Sequence, residues 1–425
     1  MTIAVFLGSL LGSMMLGVPI AFALLLCGVA LMWHLDLFDA QILAQNLVAG
    51  ADSFPLLAVP FFLLAGEVMN VGGLSRRIVQ LALALVGHIR GGLGYVTILA
   101  ACLMAALSGS AVADAAALAA LMLPMMIAAG HDPARSAGLI ASAGIIAPVI
   151  PPSIGFVIFG VAANVSISKL FLAGIAPGLM LGASLWCAWW WLSRREALQP
   201  PPRRSSGEVL QALREAVWAL VLPVIVLVGL KFGVFTPTEA GVVAAVYALA
   251  VSMLVYRELS WRQLYGVFVS AARISAVIMF LVAAAMVSAW LITVAGLPAQ
   301  LVTLLEPVLD NQLLLLLSIM VLVMLVSTAM DMTPTILILT PVLMPVVKAA
   351  GIDPVYFGVL FMINLSIGLI TPPVGAVLNT VAGVGRISMS AVTRGVLPFM
   401  LAQFVLLLLL IAFPQLVLAP ARWLS

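Results

Sequence analysis

The stretch Ala106-Leu-Ser-Gly-Ser-Ala-Val-Ala-Asp114 sets two serines, a glycine and a carboxylate in the middle of a run that is otherwise fit for lipid. Unpaired backbone groups are costly in hydrocarbon, so such a break is tolerated only where protein buries it or where it lines a cavity, and an intramembrane Asp marks a functional site by default. From Gly94 to Ala129 the chain is apolar on both sides of the break, giving two pieces of half length. They are expected to enter and leave the bilayer from one side, as a re-entrant hairpin with its tip at Ser108-Gly109-Ser110.

Composition makes lipid the relevant solvent. With 65% hydrophobic and 8% charged residues and a mean hydropathy of +1.29, the chain belongs among all-α polytopic membrane proteins. Apolar runs long enough for a bilayer core of about 30 Å recur from Thr2 to Leu418. No basic segment precedes the first run, so Met1 to Trp33 reads as a retained span and not as a cleaved leader. Cys27, Cys102 and Cys187 stand apart in apolar surroundings and read as packing residues. The net charge of +3 informs by position only, because Lys and Arg mark cytoplasmic loops, and it gives no ground for a nucleic-acid partner.

A first span over 3–33 leads to Asp36, Asp39 and Asp52 without Lys or Arg, which places that segment outside and the N-terminus in the cytoplasm. Phe54 to Leu74 returns to Arg76, Arg77, His88 and Arg90, with Ile78 to Val86 as an amphipathic interfacial helix. After the hairpin, the span Ser136 to Ala163 is interrupted by Ala147-Pro-Val-Ile-Pro-Pro-Ser-Ile-Gly155, whose prolines remove donors and free carbonyls. Leu170 to Trp191 runs into the Arg/Pro-rich stretch Arg194 to Arg214, a cytoplasmic linker. Spans over Val217 to Lys231, Thr238 to Tyr256 and Val267 to Val294 then reach an outer segment with Glu306 and Asp310. The expected division is a first repeat over 1–193, a linker over 194–215, a connecting span over 216–233 and a second repeat over 234–425.

The second half echoes the first. Pro124 and Pro345, Gly130 and Gly351, Asp132-Pro133 and Asp353-Pro354, Pro151-Pro152 and Pro372-Pro373, Gly174 and Gly395, and Pro177 and Pro398 all stand 221 residues apart. Five crossings separate the equivalent loops if Leu313 to Ala349 is also a hairpin, and an odd number makes the repeat inverted. Lys348 is the one basic residue against this assignment.

Each half thus pairs a hairpin tip with a Pro-Pro break. Ser108, Gly109 and Ser110 go with Pro151, and Ser327 and Thr328 with Thr371 and Pro372. Carbonyls at half-helix C-termini and Ser/Thr hydroxyls suit a hard cation such as Na⁺, while opposing half-helix N-termini suit a carboxylate. Asp114, Ser153, Asp331 and Gly375 are expected to be architectural or substrate-facing, with the two aspartates as N-caps of the second half-helices. Small-residue packing is the plainer account of a lone Ser-Gly-Ser, but it does not explain why both halves break twice. Glu67 and Arg273 are intramembrane charges for which snorkelling competes with function. His34, His88 and His131 form no H-E-x-x-H frame, so a metalloprotease lacks ligands and no enzyme is expected.

Ser108-Gly-Ser-Ala-Val-Ala-Asp114, Pro148-Val-Ile-Pro-Pro-Ser153, Leu339-Thr-Pro-Val-Leu-Met-Pro345, Gly351-Ile-Asp-Pro354 and Thr371-Pro-Pro-Val-Gly375, in this order over almost the whole chain, resemble the large membrane subunit of tripartite ATP-independent periplasmic (TRAP) transporters. The resemblance implies an elevator-type, Na⁺-driven importer of a small organic anion such as a C4-dicarboxylate or sialic acid, in the bacterial inner membrane. It further implies a periplasmic substrate-binding protein and a small four-helix membrane subunit on a separate chain, with Na⁺ as coupling ion and no cofactor. Ser327-Thr328 departs from the glycine that many relatives carry before the Met-Asp pair. A stand-alone Na⁺-coupled anion carrier is the alternative. An intramembrane aspartyl protease is disfavoured, because Asp114 and Asp331 at opposite tips would have to share a proton across about 3 Å.

Overall fold

The computed structural model describes residues 2–194, 202–309 and 311–424; Arg195 to Pro201 of the expected linker and Asp310 of the expected outer segment lie outside the described residues. The described residues contain helices and no strand. The first half comprises α1 (Thr2–Met15), α2 (Ile20–His34), α3 (Ala40–Ala51), α4 (Ala58–Val71), α5 (Leu74–Val86), α6 (Gly92–Ser108), α7 (Ala111–Ala128), α8 (Pro133–Gly144), α9 (Ile154–Ala163) and α10 (Ile167–Ser193). The second comprises α11 (Ser206–Lys231), α12 (Pro237–Ala250), α13 (Trp261–Val294), α14 (Leu297–Leu309), α15 (Gln312–Ser327), α16 (Met332–Ala349), α17 (Pro354–Gly368), α18 (Ala376–Gly385), α19 (Met389–Ala412) and α20 (Gln415–Leu424). Among the described residues, 8 helical segments are long and apolar enough to cross a membrane, so the chain is a multi-pass membrane protein.

Two expectations need correction. The single span over 3–33 is a pair, α1 and α2, because Gly17 sits at φ +79 and Pro19 brings no N–H to continue the helix. The chain folds back there, leaving Cys27 Sγ 3.5 Å from Phe6 O, so counting one span over 3–33 does not fix the side of the N-terminus. The linker and connecting span shift as well. Ser205 accepts the N–H of Glu208, which in turn accepts from Ser205 N at 2.7 Å. This capping box starts α11 at Ser206, inside the segment expected to be linker.

Helix packing divides the bundle into two groups. In one, α4 and α12 lie side by side, with Gly241 against Ala58 and Phe61 and Thr238 Oγ1 donating to Phe54 O at 3.1 Å. Helix α13 closes this group, and Ser288 Oγ donates to Leu24 O at 2.8 Å. At one end Arg76 and Arg77 both reach Glu258, at 2.8 and 2.7 Å, and the Arg77 guanidinium lies 3.7 Å from the Tyr256 ring centre. The other group holds α6 to α9 and α15 to α19. Its tightest crossing is α8 on α19, where Gly138 and Ala134 meet Gly395 with no room for a side chain, and Gln403 Nε2 donates to Ser142 O at 3.0 Å. Fully buried Trp189 of α10 fastens the start of α6 by donating from Nε1 to Gly91 O at 2.8 Å.

Candidate functional site

Helix α6 stops at Ser108 because Gly109 turns into the left-handed region at φ +63, and α7 restarts at Ala111, capped by Ser110, whose hydroxyl accepts Ala113 N–H at 3.4 Å. Asp114, expected to be the cap, is not one. The restart at Ala111 gives the cap position to Ser110 and turns Asp114 inward from the first turn, where it is 1% exposed. Ser108 Oγ donates to Asp114 Oδ1 at 2.5 Å and accepts Ser110 N–H at 3.2 Å. Asp114 Oδ2 is buried without a hydrogen-bond partner.

The tip rests on the first proline break. A Cβ built at Gly109 would stand 2.5 Å from Pro152 O and 3.2 Å from Ser153 Cα, so the tip meets the break backbone to backbone. Pro151 and Pro152, joined by a cis peptide, supply no N–H to the carbonyls of Ala147 and Pro148 four residues earlier. Ser153 takes over at one of them, donating to Pro148 O at 2.5 Å while its oxygen caps α9 by accepting Phe156 N–H at 3.2 Å. Pro151, Pro152 and Ser153 are all buried.

In the second half, Gly368 at the end of α17 presses on Ser327, which a Cβ at that glycine would approach to 2.5 Å at its own Cβ. Ser327 Oγ donates to Met324 O at 3.0 Å, Thr328 Oγ1 to Leu325 O at 2.8 Å and Thr371 Oγ1 to Ile367 O at 2.8 Å. All three hydroxyls thus spend their proton on a carbonyl of the preceding helix, which leaves their oxygens as acceptors. Asp331 is exposed and caps α16, accepting Met332 N–H at 2.8 Å, as the sequence led us to expect. Pro372 and Pro373, again joined by a cis peptide, are exposed, and Gly375 opens α18 at φ +50.

The two pairs approach one another where α9 packs on α16 and α17. A Cβ at Gly155, two residues beyond Ser153, would lie 2.7 Å from Met362 Sδ and 3.2 Å from Met332 Sδ, beside Asp331. The structure therefore gathers Ser108, Gly109, Ser110 and Asp114 with Pro151 and Ser153, and Ser327 with the end of α17 that leads to Thr371. It leaves Asp331, Pro372 and Pro373 on an open side. Sequence reasoning missed Gly66, whose Cβ position is 3.5 Å from Ser108 Cα and which precedes the half-buried Glu67. It also missed Asn364, whose Nδ2 donates to Met320 O at 2.6 Å. An amide inside the apolar run Met362-Ile-Asn-Leu365 was the available signal. Arg273 is exposed on α13.

The family described as tripartite ATP-independent periplasmic transporter, DctM component, matches residues 7–416. The 2,3-diketo-L-gulonate TRAP transporter large permease protein YiaN of Escherichia coli (strain K12) is 57% identical over 425 residues, covering 100% of both chains. The sialic acid TRAP transporter large permease protein SiaM of Vibrio cholerae is 39% identical, covering 95% of each, and the C4-dicarboxylate large permease DctM of Pseudomonas aeruginosa is 37% identical, covering 90% of each. Among solved structures, the Alcanivorax borkumensis YdaH transporter superposes with a TM-score of 0.64 at 18% identity, covering 88% of this chain and 89% of that one. That likeness concerns the fold alone.

Proposed function

Because the chain belongs to the DctM family of tripartite ATP-independent periplasmic transporters, we propose that it imports a small organic anion in symport with Na⁺, at the two hairpin tips and the two proline breaks. The observation that carries this reading is a hairpin tip packed against an interrupted helix in each half, Gly109 on Pro152 of the first proline break and Ser327 on Gly368 at the end of α17, ahead of the second. Each pairing gathers hydroxyls and backbone carbonyls, the oxygen ligands a hard cation takes. The starts of α9 and α16 approach one another at Gly155 and Met332, and two helix N-termini side by side favour a carboxylate. The names of the relatives give 2,3-diketo-L-gulonate, sialic acid and C4-dicarboxylates, and the full-length 57% relative makes a keto sugar acid the first substrate to test.

The inverted, elevator-type arrangement is part of the same proposal. It is supported by α19, where Gly395 abuts Ala134 beside the base of the α6/α7 hairpin, and Leu410 O accepts from Tyr356 beside the base of α15/α16 at 2.9 Å. The two bases then lie roughly 22 Å apart along one helix, at about 1.5 Å per residue. The moving group would slide past α4 at Gly66 and Ser108, a van der Waals contact of small residues. A small membrane subunit and a periplasmic binding protein in the bacterial inner membrane complete the proposed system. Uptake into proteoliposomes holding both membrane subunits, with the binding protein outside and an imposed Na⁺ gradient without ATP, tests it. Equal uptake in choline would overturn Na⁺ coupling, and equal uptake without the binding protein would favour a stand-alone carrier.

A further inference from the structure

We propose that Asp114 supplies the negative charge of the first cation site and acts on the ion through Ser108, so that the two tips hold their ions by different means. This rests on the cation-site reading of the first tip. The Ser108 hydroxyl has one proton and two lone pairs. Its proton goes to Asp114 Oδ1 at 2.5 Å and one lone pair takes Ser110 N–H at 3.2 Å, which leaves one lone pair for a cation. A hydroxyl donating to a carboxylate is polarised toward oxygen and fixed in direction, so Asp114 is a positioning residue for Ser108 as well as a source of charge.

The surroundings of Asp114 call for a counter-ion. It is 1% exposed, and its Oδ2 has no hydrogen-bond partner. The helices packed on α7 are α6, α8 and α18, and the one basic side chain in them is Arg135, in the first turn of α8. A carboxylate buried without a cation is strongly disfavoured, and a monovalent ion on Ser108 Oγ and the carbonyls of the adjoining break would neutralise it. The second tip has no equivalent. Asp331 is exposed and occupied as a cap, and the Ser327 and Thr328 protons go to backbone carbonyls.

The test is the apparent Tm of the purified chain with its small subunit, titrated with NaCl against choline chloride. Na⁺ should raise the wild-type Tm, and Asp114→Asn should raise the half-saturating Na⁺ concentration roughly tenfold or more. In choline, Asp114→Asn should melt at or above wild type, because an uncompensated buried charge has been removed. A lower Tm in choline with an intact Na⁺ response would show a purely structural aspartate and overturn the proposal. A wild type indifferent to Na⁺ would instead overturn the cation-site reading, and the proposal with it. If Asp114→Asn does not fold, infrared difference spectra of wild type labelled with ¹³C at the aspartate side-chain carboxyl decide the matter. Na⁺ should shift a carboxylate stretch, and Ser108→Ala should alter that shift; no Na⁺-dependent band overturns the proposal.

Discussion

At Gly109 the backbone stands at φ +63 with Pro152 O 2.5 Å from where a Cβ would be. An L-residue in the left-handed region costs about 1–2 kcal/mol before any clash, and here the clash is with backbone that cannot step aside. Gly109→Ala should therefore lower the apparent Tm and weaken Na⁺ stabilisation together; an unchanged Tm with unchanged Na⁺ response would show that the tip does not seat on the break. Thr371 differs, because its proton is already given to Ile367 O at 2.8 Å and its oxygen, 3.6 Å from Met400 Sδ, is left as an acceptor. Thr371→Ala should raise the Na⁺ needed for half-maximal uptake roughly tenfold to hundredfold, and Thr371→Ser should restore it. Failure of Ser to rescue would assign the effect to the lost methyl group and its packing.

Individual helices obey local signals closely. Asp132 and Asp353 cap α8 and α17 with a proline at the first turn of each, and Ser205, Thr236 and Ser260 form capping boxes. Where expectation failed, a local signal had been passed over: Gly17 and Pro19 split the first span, and the Ser205–Glu208 pair starts α11 early. The α8/α19 crossing is a different matter, since its tolerance depends on two segments far apart in the chain. Gly395→Leu should push α19 off Ala134 and Gly138, lower the apparent Tm and reduce the yield of folded protein. A stable, wild-type-like Gly395→Leu chain would mean that the two helices do not approach as closely as described.

For the whole molecule, orientation is the property most open to direct measurement. Arg90 Nη2 lies 3.4 Å from Arg194 O, and Arg76 and Arg77 share Glu258. The base of the first hairpin, the α10 terminus and the α12–α13 turn therefore belong to basic segments, and the positive-inside rule predicts a cytoplasmic position for them. In a Cys187→Ser background, which removes the exposed native thiol, Ser206→Cys should resist a membrane-impermeant thiol reagent in intact cells and react after permeabilisation. Strong labelling of intact cells would reverse the orientation.

The helical, multi-pass character of the chain, most of the places where helices stop and the residue types offered at each stop are legible in the residues alone. These are consequences of solvent and of short-range backbone chemistry: lipid demands internally bonded helices, proline withholds a donor, and Ser or Asp caps the next helix. Which stop faces which is fixed by the packing of helices distant in the chain. The motifs Ser108-Gly-Ser and Ser327-Thr-Ala-Met-Asp331 look alike as strings, yet one turns its aspartate into the bundle and the other leaves it at the surface. The difference comes from where each helix restarts: α7 restarts behind Ser110, four residues before Asp114, whereas α16 restarts directly behind Asp331. Whether a carboxylate ends beside a hydroxyl or in the open depends on that register, which the cap sets locally, and on the helices packed around it, which no local pattern encodes.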